Sequence, residues 1–282
     1  MAKTYVIFNP FSNNKKGGLI DSLLDGFKDK EVKIFDISKE GFDYKKCISE
    51  LKEEDELYIC GGDGTLNIFI NETKGYKYDF KIYYYATGTG NDFLRDIKGV
   101  TKSEPVLINE YLKNLPTVVV NNKEYLFLNG VGYGIDGYCC EVGDRLREQE
   151  KSKINYTSIA IKGLLFHYKP VDAIVTVDGV EHKFKKVWLA PTMYGKYYGG
   201  GMIPTPNQTR KDDKISILIF HGSGKLKTLM IFPSIFKGEH VKKEKNVTVL
   251  SGNIIEVRYS SPRSLQIDGE TILNISSYKA YK

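Results

Sequence analysis

The sequence predicts a chain of mixed class: an N-terminal α/β domain with a mostly parallel sheet, followed by an all-β domain of sandwich type. Three observations carry this. In the first third, short apolar runs alternate with segments of helical period. From about Pro116 strand-like runs follow one another directly. There they are separated by Gly, Asn, Asp and Pro, as antiparallel strands are.

Taken in order, Thr4–Phe8 (TYVIF) reads as a buried strand, and Leu19–Phe27 as a helix with Leu19, Leu23, Leu24 and Phe27 on one face. Glu31–Ile37 is a second strand, Tyr44–Lys52 a helix, Glu56–Cys60 a third strand, Leu66–Asn71 the opening of a helix, and Lys81–Ala86 (KIYYYA) a fourth strand. The later segments TVVV, KEYLFLNGVG, DAIVTVDGVEHKFKKVWLA, KISILIF, NVTVL, NIIEVRYS and SLQID read as β, interrupted by helices near Asn155–Phe166 and Lys225–Lys237. The domains expected are 1–116 and 117–272, with 273–282 a candidate return to the first.

Composition excludes several classes. The 282 residues are 41% hydrophobic and 27% charged, as in ordinary globular proteins. No run approaches the roughly 18 apolar residues of a membrane span, and MAKTYVIFNPFS is too short an apolar stretch for a signal peptide. The four cysteines lack metal-ligand spacing and read as reduced thiols, so a cytoplasmic protein is expected. A net charge of +6 suits an anionic partner such as a nucleotide or a membrane. No basic cluster is interleaved with aromatics, so no nucleic-acid partner is expected.

The chemistry gathers where strands end. Gly61-Gly62-Asp63-Gly64-Thr65 leaves the third strand, where glycines let phosphates approach backbone N–H groups and a following helix adds its positive N-terminus. Asp63 would be repelled by bare phosphate, so it reads as a Mg²⁺ holder. Thr87-Gly88-Thr89-Gly90-Asn91-Asp92-Phe93 leaves the fourth strand in the same way, and Asn9-Pro10-Phe11-Ser12 leaves the first. In open α/β sheets ligands bind beyond these carboxyl ends. Gly222-Ser223-Gly224-Lys225 is not a P-loop, because Leu226 follows where Ser or Thr is needed.

GGDGT followed by GTGNDF resembles the catalytic domain of the diacylglycerol kinase family, which includes sphingosine and ceramide kinases and bacterial lipid kinases. The resemblance runs nearly the whole chain. Asn9-Pro10-x-Ser12 fits its opening, with Asn13 for the usual glycine. Asn129 to Gly137 (NGVGYGIDG) is similar to its Asn…Gly-x-Asp-Ala segment, with Gly137 for alanine. Tyr197-Tyr198-Gly199-Gly200-Gly201-Met202-x-Pro204 resembles its YxGGGM loop, and Arg210 to Ile215 (RKDDKI) its D-D-G-x-L-D turn, with Lys214 for glycine. Gln266-Ile267-Asp268-Gly269-Glu270 matches its closing IDGE. GGDGT alone also occurs in NAD kinases and phosphofructokinases.

The resemblance implies ATP bound by Asn9, Ser12, Ser38, Gly61, Gly62, Asp63, Gly64, Thr65, Asn67, Thr89 and Asn91. It implies Mg²⁺ ordered by Asp63 and Asp92, and a structural Mg²⁺ at the Asp213 side chain with the carbonyls of Arg210 and Ile215. A further family acid near the first strand of the second domain is absent from Pro116-Thr117-Val118-Val119, and Asp136 is its candidate substitute. Asp268 and Glu270, two apart on a strand, would share a face. Asp268 is expected as the general base for the acceptor hydroxyl, with Glu270 as its partner or alternative.

The function implied is an ATP-dependent lipid kinase converting diacylglycerol to phosphatidate. A kinase of a soluble acceptor, as in NAD kinases, and an inactive nucleotide- or lipid-sensing module are the rivals. Six lysines and two glutamates in 225–245 surround Leu229-Met230-Ile231-Phe232, a candidate peripheral contact with the inner membrane face, and IKGLLFHY at 161–168 raises the same question. Pro233 would kink any helix there. Unpaired strand edges make a homodimer an expectation.

Overall fold

Strands covered by helices on both faces carry apolar residues on both, and Thr4–Tyr5–Val6–Ile7 are all buried. In the computed structural model of the chain, which describes residues 2–10, 18–28, 30–102, 104–149 and 156–282, these strands lie in the first of two units, Met1–Leu115 and Pro116–Lys282. The predicted Ser12 lies outside the described residues.

The first unit runs β1 (Thr4–Phe8), α1 (Gly18–Asp25), β2 (Val32–Asp36), α2 (Tyr44–Ser49), β3 (Glu56–Gly61), α3 (Asp63–Glu72), β4 (Lys81–Ala86), α4 (Asp92–Lys98) and β5 (Val106–Leu107). The sheet order is β2-β1-β3-β4-β5, parallel except for β5, which runs against β4. Val6, Tyr58 and Cys60 pack with Leu23 and Phe27 of the α1 segment on one face. Ile7, Leu57, Ile59, Ile82 and Tyr84 alternate with them and are buried too. Two differences from the expected elements matter for the site. Helix α3 begins at Asp63 rather than Leu66, so Asp63-Gly64-Thr65 is a first helical turn with Gly62 at its N-cap. Helix α4 had no periodic apolar signal to announce it, being only seven residues long.

The second unit runs β6 (Thr117–Val120), β7 (Lys123–Leu126), β8 (Gly130–Tyr133), α5 (Ile135–Glu148), α6 (Tyr156–Lys162), a π-helical turn (Gly163–His167), β9 (Val171–Val177), β10 (Val180–Val187), β11 (Thr192–Met193), β12 (Ile215–Phe220), α7 (Lys225–Ile231), two 3₁₀ turns (Phe232–Lys237 and Glu239–Lys242), β13 (Val247–Gly252), β14 (Ile254–Ile267) and β15 (Glu270–Tyr281). The strands form an antiparallel system ordered β13-β12-β11-β8-β14-β15-β6-β7, with β9 joining β14 to β10. Strand β14 serves two layers. Ile255–Tyr259 pairs with β9 and Leu265–Ile267 with β8, the register breaking between Arg258 and Arg263. Bulged strands bend in this way, and a bent strand joins the layers of a sandwich. Helices α5, α6 and α7 share a core with Trp188, Leu189, Leu218 and Phe220.

Residues 273–282 do not return to the first unit. All but Lys282 lie in β15, paired with β14 on one side and with β6 on the other. The helix expected over Lys225–Lys237 changes from α to 3₁₀ at Phe232, next to Pro233, whose missing N–H and ring oppose α-helical continuation.

Helix α5 was not expected, because Gly134, Gly137 and Gly143 break its pattern. Close packing requires two of these glycines. A Cβ at Gly137 would land inside the Ser264 backbone carbonyl of β14, and one at Gly143 would come 2.8 Å from the Tyr156 ring. Gly137→Ala is therefore expected to destabilise the protein by about 1–3 kcal/mol. Helix propensity alone predicts the opposite, a gain of about 1 kcal/mol. Urea denaturation of the variant decides between them.

Candidate functional site

In the first unit, parallel register brings the ends of β1, β3 and β4 to one sheet edge. Phe8 pairs with Cys60, and Gly61 with Ala86. The exits are tied by backbone bonds, the Asn9 N–H donating to the Cys60 carbonyl (3.2 Å) and the Thr87 N–H to the Gly61 carbonyl (2.9 Å). The two glycine loops then touch. A Cβ on Gly88 would come 2.5 Å from the Gly62 Cα and 2.8 Å from the Asn91 side chain. No other residue fits at Gly88, and the contact sets the start of α3 beside the loop that starts α4.

The Asp63 carboxylate links these two helices. Its oxygens accept from the backbone N–H groups of Asp92 (2.8 Å) and Phe93 (2.9 Å). Asn91, the N-cap of α4, makes no capping bond of its own, so α4 is capped from α3. Asn91 stands at φ 49°, left-handed backbone that asparagine tolerates, and its Nδ2 donates to the carbonyls of Gly88 (2.9 Å) and Thr101 (2.8 Å). At 1% exposure, Asn91 holds the loop. Asp92 is also buried.

Tyr84 belongs to this site and was not foreseen. Its ring is fully buried (0%), edge-on to Phe93 at 5.8 Å, and its hydroxyl has no hydrogen-bond partner. Burial, then the Asp63 and Asp92 carboxylates, raise its pKa well above the ordinary tyrosine value. It thus keeps its proton beside the acids. A tyrosine inside KIYYYA carries no signal that separates this role from core packing.

The other predicted residues divide. The Asn9 amide reaches the Thr65 hydroxyl at 3.5 Å, while Thr65 and Asn67 are buried within α3. Thr89 is exposed in the second loop. Ser38 is exposed after β2, but its N–H and hydroxyl both donate to Asp36 Oδ1 (2.9 and 2.6 Å), which lowers the Asp36 pKa.

In the second unit, Asp268 and Glu270 do not sit two apart on a strand. Ile267 and Glu270 pair across a two-residue turn in which Asp268 (φ 48°) and Gly269 (φ 103°) are both left-handed, the primed turn that Asp-Gly favours. The Asp268 carboxylate accepts from the N–H groups of Leu128 (2.5 Å), Asn129 (2.8 Å) and Gly130 (3.0 Å). Glu270 is exposed as a residue. Partial burial of its carboxyl, and then Asp144 beside it, nonetheless raise its pKa, with Arg147 opposing. Helix α5 grips the hairpin, Asp144 accepting from the Thr271 hydroxyl at 2.6 Å and Glu141 from the Ser264 hydroxyl.

Asp136 lies in a buried, mostly neutral surrounding. It is buried at the first turn of α5 under Gly132 and Gln266, one oxygen has no partner, and burial pushes its pKa up to about 7. The tyrosines and cysteines around it (Tyr133, Tyr168, Tyr259, Tyr278, Cys139 and Cys140) are all shifted upward and stay neutral. Because the folded pKa exceeds the ordinary 3.8, the stability it contributes is complete below about pH 4 and is lost as pH rises through 7. The loss is on the order of 4 kcal/mol. Asp136→Asn is expected to leave the melting temperature near pH 3 almost unchanged and to raise it at pH 8.

At the expected structural Mg²⁺ site, the Arg210 carbonyl accepts from the Tyr194 hydroxyl (3.4 Å) and its guanidinium donates to Leu128 O (2.6 Å) and Asn129 Oδ1 (2.7 Å). Asp213 is exposed and Ile215 opens β12.

Residues 3–118 match the family described as the diacylglycerol kinase catalytic domain, and residues 129–278 match the family described as the YegS C-terminal NAD kinase beta sandwich-like domain. The chain thus pairs a domain of the diacylglycerol kinase catalytic family with one of the YegS C-terminal family. It is similar to "Diacylglycerol kinase" of Mycobacterium tuberculosis, 25% identical over 201 residues, which are 69% of this chain and 64% of that protein. The alignment thus spans less than two thirds of that relative. It is also similar to a Staphylococcus epidermidis protein named "Putative lipid kinase", 27% identical over 226 residues, 77% of this chain and 70% of that one. A Bacillus anthracis crystal structure, 20% identical, shares the fold with TM-score 0.70 over 99% of this chain and 91% of its own.

Proposed function

We propose that the protein is an ATP-dependent lipid kinase that transfers the γ-phosphate to a lipid hydroxyl, with diacylglycerol as acceptor and phosphatidate as product. The observation that carries this reading is the contact of Gly62 with Gly88, which sets the N-terminus of α3 beside a second glycine loop with two carboxylates between them. Side-chain-free backbone and a helix N-terminus favour phosphate oxygens. The acids fit magnesium. They are hard oxygen donors, and among the described residues no group of three His, Cys, Asp or Glu gathers. Few protein ligands is how magnesium is usually held, with water and phosphate completing its shell. Bound there by Asp92 and the outer side of Asp63, the ion would neutralise charge on the β- and γ-phosphates.

In the transfer, the acceptor oxygen bonds to the γ-phosphorus, the bond from that phosphorus to the β-phosphate oxygen breaks, and ADP leaves with the electron pair. The hydroxyl proton needs a base. Glu270 is the better acceptor of the two acids, because its proton affinity is raised while Asp268 is held by three amides that protonation would disturb. Asp268 then positions the hairpin that presents Glu270. The test is transfer of label from γ-labelled ATP with Mg²⁺ to diacylglycerol, ceramide, sphingosine or NAD. Labelled NAD alone would favour the soluble-acceptor kinase, and ATP binding without transfer the sensing module.

A further inference from the structure

Three large apolar side chains of the second unit stand nearly bare: Phe166 is 72% exposed, Leu226 75% and Met230 74%. Leu226 and Met230 are four apart and share the outer face of α7, while Thr228 and Ile231 are buried beneath it. Phe166 belongs to the same body. The Lys225 ammonium donates to the Leu165 carbonyl at 2.9 Å, and Leu164, Leu229 and Ile231 meet in one core cluster. Exposed apolar residues scattered singly need no explanation, but three gathered on one packed rim do.

Charge identifies the partner. The sequence carries no Asp or Glu from 156 to 171 or from 214 to 238, whereas Lys162, Lys169, Lys225, Lys227 and Lys237 fall in those stretches. Apolar tips on segments whose charged residues are all cations complement a bilayer with anionic headgroups, the tips entering the interface while lysine stems lie along it.

We propose that this rim, with Phe166, Leu226 and Met230 as its inserting tips, docks the second unit on an anionic membrane surface. The need for such docking rests on the lipid-kinase reading; the physical argument for it does not. The segment 161–168 and the α7 part of 225–245, which each raised the question in sequence, thereby form one surface.

The test is cosedimentation of the full chain with vesicles of phosphatidylcholine alone or mixed equally with phosphatidylglycerol, without ATP or acceptor. The wild type is expected to bind the anionic vesicles and to release as salt rises. Leu226→Asp with Met230→Asp is expected to lower that partition at least about tenfold. Leu273→Asp, at a 54% exposed position of β15, is expected to leave it unchanged. Equal melting temperatures check that the variants fold. The proposal is overturned if the wild type does not bind anionic vesicles, if the double variant binds as well as the wild type, or if Leu273→Asp loses as much. Kinase assays separate the two readings. With a short-chain dispersed acceptor the double variant should match the wild type, and with vesicle-embedded acceptor it should fall in step with binding. Patch-dependent vesicle binding without transfer to any lipid would sink the lipid-kinase reading and leave the docking surface standing.

Discussion

Asp268→Ala is expected to lower both stability and activity, whereas Glu270→Gln lowers activity alone. The alanine leaves the N–H groups of Leu128, Asn129 and Gly130 without their acceptor in a buried stretch. Unsatisfied buried amides cost about 1–3 kcal/mol each, so with partial relaxation a loss of roughly 3–5 kcal/mol is expected in denaturant unfolding. Glu270 is exposed, and its replacement should change stability by less than about 0.5 kcal/mol. Loss of a general base lowers kcat about 100-fold or more. The pH profile tells base from scaffold. Wild-type kcat should rise with pH through a limb displaced above the ordinary glutamate range, since the base acts deprotonated and its pKa is raised. That limb should vanish in Glu270→Gln and persist at reduced height in Asp268→Asn.

Asp63→Ala removes the acceptor that caps α4 from α3. A lost cap costs about 0.5–2 kcal/mol, so the variant should fold with a lowered melting temperature. If Asp63 serves the proposed phosphoryl transfer, activity should fall far more, at least about 100-fold, because one of the two carboxylates proposed to order magnesium and the phosphates is gone. Asp63→Asn keeps one acceptor oxygen and turns the other into a donor facing an amide. It should recover part of the stability and little of the activity. An activity loss no larger than the stability loss explains would make Asp63 only a helix cap.

Much of the first unit was legible because a parallel sheet writes itself as apolar runs with helical segments between, and each of β1 to β4 follows that rule. Short β5 and α4 were not legible: two residues of strand and seven of helix carry too little periodicity. In the second unit α5 was hidden by glycines that exist for packing, Gly137 under Ser264 and Gly143 under Tyr156. The site divides on the same line. Glycines at strand ends announced the close approach of the two loops, since the Gly62–Gly88 contact admits no side chain. Tyr84 was silent because a buried tyrosine in a strand looks like core until its hydroxyl proves to lack a partner. Asp-Gly read as a strand misplaced Asp268; its turn signature was present, and the matching IDGE outweighed it.

The central claim is that the protein carries out lipid phosphotransfer and that Asp63 and Glu270 are each needed for it. Its most direct test is transfer of γ-labelled phosphate from ATP to diacylglycerol in mixed micelles with Mg²⁺, by wild type, Asp63→Asn and Glu270→Gln in parallel. The account predicts labelled phosphatidate from the wild type and about 100-fold less from each variant, both still folded. Labelled phosphatidate made equally by all three, or label carried by NAD and no lipid, would contradict it.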